Sequence, residues 1–363
     1  MLDARPAAAT AALGAALVLV AGLLDAEPLY VGGIAFLLAA LIAAVWVLPG
    51  ARGVRLERRI AAPRVLEEEP LAVEVRVLSR RPLPLAALHD DLLPAPAPLP
   101  AGRRSACVQI SVRFARRGRK VLAPPRVALR DPLGLVTRTV AGRGADEVLV
   151  LPRLEAVRVD PSAGDGAGPG TRRGRPAADA ETDIDGLRQH RPGTPASRIF
   201  WPALARRGEL LERRMKAEGD TRPLVVLDPR GAAEPEDLDA AVRAAASLAH
   251  HLARRGGCAL LLPGDRRPVV LEPGLGAWPQ AHARLALVEE GHAPALGGAA
   301  GRAGEILYVT ARRSARPPRA LARAPRGAVV LVVPGALPGR RPAFAVAGCS
   351  GYALRGAVAE VAA

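Results

Sequence analysis

The hydrophobic pattern divides the chain into three regimes. The first has no alternation at all. Ala7–Leu24 and Leu29–Leu48 are almost unbroken apolar runs of 18 and 20 residues, long enough to cross a hydrocarbon core near 30 Å. Only Asp25-Ala26-Glu27-Pro28 separates them, so the pattern predicts a helical hairpin over residues 1–51. Tyr30 and Trp46 fall near the two ends of the second run, where interfacial aromatics belong. A cleaved signal peptide is the competing reading of the first run, but its basic flank is poor and the second run follows at once. Runs this long without charge also argue against two core helices of a soluble protein.

From Arg52 the period becomes two. Val54–Arg58, Leu71–Val77 and Ala106–Phe114 alternate, and Val127–Leu129, Leu135–Val140 and Val148–Leu151 add shorter candidates. Pro94, Pro96, Pro98 and Pro100 punctuate one loop and Pro124-Pro125 mark another. Short strands bounded by turns predict a β-sandwich-like domain over 52–158. Residues 159–180 are rich in Gly, Pro, Ala and Asp without periodicity, a linker or loop. No G-x-x-x-x-G-K-[ST] pattern occurs there, so a phosphate loop is not implied.

The third regime lies within 181–363. Pro223–Asp228 is a continuous apolar run ending in an acid, as in a buried parallel strand. Leu238–Arg255 repeats at helical spacing and is closed by Gly256-Gly257. Cys258–Leu262, Ile306–Thr310 and Val329–Val333 are further strands, Val269–Leu271 an edge hairpin, and Ala281–Glu290 a helix. This alternation predicts an α/β domain with an open, mostly parallel, Rossmann-like sheet and helices on both faces. No G-x-G-x-x-G is present, so no dinucleotide cofactor is expected.

Charge orients the hairpin. Arg52, Arg55, Arg58 and Arg59 follow the second run, whereas the connecting turn carries only Asp25 and Glu27. The positive-inside rule then places the N-terminus and the bulk of the chain in the cytoplasm, on the inner face of the cell membrane. The formal net charge of +16 would ordinarily suggest nucleic acid. Nearly all of it is Arg, with Lys only at 120 and 216, in a chain also rich in Ala, Gly and Pro. That bias is what a GC-rich genome produces, and aromatics at 3% leave no stacking platform for nucleic acid. Cys107, Cys258 and Cys349 are far apart, which excludes a disulfide framework or thiolate zinc site. The six histidines show no H-E-x-x-H and no nucleophile pairing, Cys258 opens a buried strand, and no catalytic residue is expected.

The densest chemistry lies in residues 187–220, with Arg188, Arg191, Arg198, Arg206, Arg207, Arg213 and Arg214 around Phe200 and Trp201. Ala203–Arg207 suits a helical turn and Leu210–Lys216 a strand joining the sheet edge. Three readings stay open: a solvated basic face, an anion or nucleic-acid patch, and arginines paired with carboxylates or stacked on Trp201.

This segment resembles the signature of the domain of unknown function 58 family, R-x-Y-x-x-G-D-x-x-R-x-I-x-W-x-x-(S)-A-R-x-x-x-L. Arg188 falls on the leading Arg, His190 on the aromatic position and Gly193 on the Gly. Ile199-Phe200-Trp201, Ala205-Arg206 and Leu210 match the rest, with Arg198 one residue past the signature's second Arg. The run Arg130–Leu135 is similar to the family's Asp-Pro-Phe-Gly-Leu element, and the order of hairpin, strands, signature and α/β region also agrees. The resemblance implies a membrane-anchored protein with a von Willebrand factor A-like domain, and the lack of a catalytic constellation makes a non-enzymatic one the expectation. It also implies two partners, a MoxR-type AAA+ ATPase and a transglutaminase-like membrane protein. The function expected is that of a scaffold or adaptor in complex assembly or cell-envelope maintenance. The alternative is an envelope-synthesis factor or enzyme that holds an anionic lipid-linked ligand through the Arg cluster.

Two departures stand out. Thr194 replaces the family's Asp. A metal-binding von Willebrand A domain carries Asp-x-Ser-x-Ser after its first strand, whose oxygens suit Mg²⁺. Here Asp228 is followed by Pro229-Arg230-Gly231-Ala232, so the metal site is expected to be degenerate at Asp228 and no metal or other cofactor is expected.

Overall fold

A computed structural model describes residues 2–161, 168–170, 184–189, 200–208, 210–215, 222–296, 299, 303–314, 321 and 328–354. The chain divides into two compact units, Met1–Ala115 with Arg119–Val150, and Arg116–Gly118 with Leu151–Ala363.

The first unit opens with a two-residue strand, β1 (Leu2–Asp3), and two helices, α1 (Arg5–Leu24) and α2 (Glu27–Ala51). Pro6 and Pro28 sit in the first turns, where their missing N–H groups cost nothing. Asp25 closes α1 in the left-handed region (φ 51°), and its N–H bonds to Ala21 O. The helices have 20 and 25 residues, or about 30 and 37 Å at 1.5 Å per residue. Both are long and apolar enough to cross a membrane. Leu19, Leu23, Val31, Leu41, Ile42 and Val45 are exposed on them, a continuous belt of the kind that lipid covers. The helices pack through glycines. A Cβ on Gly14 would lie 2.7 Å from Gly33 O, and one on Gly33 would lie 2.6 Å from Val18 Cγ2. Small residues at such a contact let two backbones approach closely.

Ten strands follow: β2 (Arg55–Ile60), β3 (Arg64–Leu66), β4 (Pro70–Leu78), β5 (Leu85–His89), β6 (Ala97–Leu99), β7 (Ser105–Arg113), β8 (Gly118–Leu122), β9 (Arg126–Arg130), β10 (Thr137–Ala141) and β11 (Asp146–Leu151). They form sheets of order β1-β10-β9-β5-β6, β3-β11-β8 and β2-β4-β7 around one apolar core. Leu71, Val73, Val75 and Val77 of β4 point inward and Arg76 outward, the alternation of a strand buried on one face. Each such buried side chain contributes about 1.5–3 kcal/mol. Pro98 lies in β6, an edge strand, where a residue without an N–H is tolerated. Leu2 and Asp3 pair with β10, and Ala7 N–H bonds to Leu135 O, so both ends of the hairpin lie at the strand region.

A charged pair, Arg58 with Asp90, is buried within this core. The Arg58 side chain is 1% exposed. It bonds to Asp90 Oδ2 at 2.8 Å, to Asp146 Oδ2 at 3.1 Å and to Ala123 O at 2.6 Å. The Arg130–Leu135 run makes the turn from β9 to β10. Buried Asp131 accepts the N–H groups of Leu133 (2.9 Å) and Val136 (2.6 Å), and Gly134 takes φ 71° beneath the Arg130 guanidinium.

The second unit contains β12 (Arg158–Val159), β13 (Ile184–Gln189), α3 (Trp201–Arg207), β14 (Leu211–Met215), β15 (Leu224–Asp228), α4 (Pro235–Gly256), β16 (Cys258–Leu261), β17 (Val269–Leu271), α5 (Trp278–Ala286), β18 (Glu305–Thr310), β19 (Ala328–Pro334), β20 (Phe344–Val346) and β21 (Cys349–Leu354). Its main sheet runs β12-β20-β21-β19-β18-β15-β16-β17. Pairings β15–β16, β15–β18 and β18–β19 are parallel. Pairings β12–β20, β16–β17, β19–β21 and β20–β21 are antiparallel. The sheet is therefore mixed rather than mostly parallel. Helices α4 and α5 share one face with Val225, Leu227, Leu260 and Val309. The other face carries a second apolar cluster that includes Leu296, Leu321 and, packed against it, Ala299 and Leu337. Cys258 and Cys349 are buried, and burial pushes both thiols up to about 12.

Candidate functional site

In an open α/β sheet, ligands bind outside the carboxyl ends of the parallel strands, where the strand order reverses. Here β15 leads to β16 on one side and lies beside β18 on the other, so the reversal falls between β15 and β18. Their last residues, Asp228 and Thr310, are register partners. This sheet end contains the acid singled out from the sequence.

Asp228 is 6% exposed, and both of its carboxylate oxygens are occupied. Oδ1 accepts Arg230 Nε–H at 2.9 Å and the Arg230 backbone N–H at 3.2 Å. Oδ2 accepts Arg230 Nη2–H at 2.9 Å and the Tyr308 hydroxyl at 2.5 Å. Burial by itself pushes the Asp228 carboxyl up. The bonds from Arg230 and Tyr308 outweigh that and hold it below the usual carboxylate range. Burial and the bond to Asp228 push the Tyr308 phenol up, so it stays a neutral donor.

Around this brace, acids and guanidiniums continue to pair. Asp237, in the first turn of α4, accepts Arg313 Nη2–H at 2.8 Å, which raises the Arg313 pKa. Glu290 accepts the Gly231 N–H at 3.0 Å. Gly231 takes φ 72°, and a Cβ there would lie 2.6 Å from Arg312 Nε, so Arg312 lies over this turn. Arg230 and Ala232 occupy the two positions at which an Asp-x-Ser-x-Ser pattern would carry hydroxyls. Among the described residues no group of three His, Cys, Asp or Glu side chains is placed to hold a metal ion. His282 is buried, stacks on Trp278 and bonds to Pro152 O at 2.8 Å. Burial pushes its imidazole down, so it is a neutral packing residue.

The signature segment forms a separate ribbon. β13 and β14 pair antiparallel in a two-stranded sheet of their own, with Arg188 opposite Glu212. Residues 211–215 therefore do not join the edge of the main sheet. Between the two strands lies α3, which starts at Trp201 and ends on Gly208 in the left-handed region. Phe200 N–H bonds to Leu211 O at 2.7 Å and ties the helix to the ribbon. Trp201, Arg206 and Leu210 are exposed, so the tryptophan contributes surface, not core. His190, Gly193, Thr194 and Arg198 lie outside the described residues. Tyr308, Arg313, Asp237 and Glu290 were not singled out from the sequence, because no motif marks them.

No family model matches the sequence, and no curated protein matches it. Among solved structures it matches the crystal structure of a Niemann-Pick type C2 protein from the Japanese carpenter ant. The identity is 10%, over 29% of this chain and 96% of that one, with a TM-score of 0.16. A likeness at that score supports neither a fold nor a function.

Proposed function

We propose that the chain is a two-span, membrane-anchored scaffold or adaptor whose bulk faces the cytoplasm. On this reading it is a protein of the domain of unknown function 58 type. The α/β unit is a von Willebrand A-like domain with a degenerate metal site, and its partner is a MoxR-type AAA+ ATPase. One observation carries the proposal: the carboxylate at the switch point is closed by Arg230 and Tyr308. A carboxylate with every strong acceptor position filled has no coordination to offer a cation. That favours recognition of a protein partner over metal-dependent ligation. The exposed apolar belt on α1 and α2 supports the anchor, and the arginines after α2 support its orientation.

The test is crosslinking of the full-length chain in its host membrane, detergent capture, and mass spectrometry with and without ATP. Nucleotide-dependent recovery of an AAA+ ATPase, reduced by Trp201→Ala with Arg206→Ala, is the expected result. Recovery of envelope-synthesis enzymes alone, or of lipid alone, would overturn the adaptor reading.

A further inference from the structure

The first unit contains a cavity of about 800 Å³ that the adaptor reading does not use. Its wall includes Arg52, Arg55, Arg59, Arg80 and Arg143, all exposed, together with buried Arg58. Among the described residues two carboxylates line it, Glu57 and Asp146, and Asp146 is bonded to Arg58. Among the described residues, Arg52, Arg55, Arg59, Arg80 and Arg143 make no ion pair with any carboxylate. Six guanidiniums around one cavity outnumber the two carboxylates in its wall, and an anion placed among them relieves their mutual repulsion.

A run of arginines beside an apolar helix is ordinarily explained as a topology signal. That accounts for Arg52, Arg55 and Arg59, which lie within eight residues of Ala51. It does not account for Arg80, in the loop between β4 and β5, or for Arg143, in the turn between β10 and β11. The fold brings these two to the same cavity from distant parts of the chain. The wall is also shaped at the backbone. A Cβ on Gly53 would lie 3.0 Å from Arg80 Cβ, so the Arg80 stem packs on Gly53. Gly142 N–H bonds to Pro125 O at 2.8 Å, which fixes the turn that carries Arg143.

We propose that this cavity is a phosphate-binding site that takes the headgroup phosphate of an anionic lipid beside the end of α2. Guanidinium forks suit phosphate oxygens bidentately. The cavity begins at Arg52, the residue after α2 ends, which is headgroup depth if α2 spans the bilayer. The inference rests on membrane insertion of α1 and α2, which is read separately by co-migration of the chain with nanodiscs.

The experiment uses the full-length chain in nanodiscs of phosphatidylcholine, alone or mixed with phosphatidylglycerol. Bound lipid is counted by native mass spectrometry. The wild-type chain retains phosphatidylglycerol selectively. Arg80→Gln with Arg143→Gln weakens that retention about 30-fold, at about 1 kcal/mol for each arginine near a membrane surface. Arg64→Gln with Arg113→Gln removes the same charge outside the cavity and leaves retention unchanged. In phosphatidylcholine alone, inorganic phosphate is the soluble probe. If it raises the thermal midpoint of wild type but not of the Arg80/Arg143 variant, and phosphatidylglycerol is not retained, the phosphate site stands and its anion is soluble. Equal losses in the two double variants, or no response to either anion, would overturn the proposal.

Discussion

Tyr308→Phe removes one oxygen atom and leaves the packing of β18 otherwise unchanged. Tyr308 and Asp228 are 2% and 6% exposed, so water does not readily replace the lost donor. A hydrogen bond to a charged group contributes about 1.5–3 kcal/mol net. The 2.5 Å contact would favour the upper part of that range. However, Asp228 Oδ2 keeps Arg230 Nη2–H at 2.9 Å and is not orphaned, which places the expected loss near 1.5 kcal/mol. For a unit of this size that lowers its thermal midpoint by about 3–6 °C. Hydrogen exchange on the full-length chain in detergent gives the finer readout, with faster exchange at β15 and β18 and no change in β4 or β7. Unchanged exchange at β15 and β18 would show that the Tyr308–Asp228 bond contributes nothing to the sheet end, and the brace argument would fail with it.

Other expectations follow from the same physics. The Asp228 pKa is lower in the folded chain than in the unfolded one. Its contribution is therefore complete above the unfolded value of about 4 and is lost as pH falls through the folded value. The stability gap between wild type and Asp228→Asn should shrink under acid denaturation below about pH 4, and a gap that widens there would contradict the assignment. Arg58→Ala leaves Asp90, whose side chain is fully buried, without its cation; a loss of about 3–5 kcal/mol is expected by chemical denaturation of the first unit. Gly33→Val should destabilise the helix hairpin by about 1–3 kcal/mol through overpacking against Gly14 O and Val18. A Cβ on Gly32 would meet nothing within 4 Å, so Gly32→Val should cost less than Gly33→Val in the same detergent melt.

Two strands whose sequence period matched a single buried face were legible to within a residue. Leu71–Val77 and Ala106–Phe114 correspond to strands at Pro70–Leu78 and Ser105–Arg113. The helix read from Leu238 begins at Pro235, because its first turn is proline and acids and contributes nothing to the apolar stripe. Short strands were lost where the period is too brief or a proline intervenes. β6 has three residues with Pro98 at its centre and reads as loop unless its edge position is known. The mixed character of the main sheet was hidden by a turn. Ala347 and Gly348 take φ 48° and 75°, the two-residue hairpin geometry that reverses β20 into β21. Asn-Gly would have announced that turn; Ala-Gly does not.

The sheet end shows the same limit at the level of chemistry. That Asp228 ends a strand, and that Arg230 follows at the position of a hydroxyl ligand, are local facts carried by adjacent residues. That Tyr308 completes the arrangement is not local, because it lies 80 residues away. Parallel register sets Asp228 opposite Thr310 and Val226 opposite Tyr308. Tyr308 is thus the diagonal neighbour of Asp228 on the same sheet face, and its ring is long enough to bring the hydroxyl across. A smaller side chain at 308 would leave Oδ2 to Arg230 alone, and the carboxylate would be open to water or a cation. The acid at the switch point is therefore closed from two directions, by the loop that follows it and by the strand beside it. Only the first of these is written in the order of the residues.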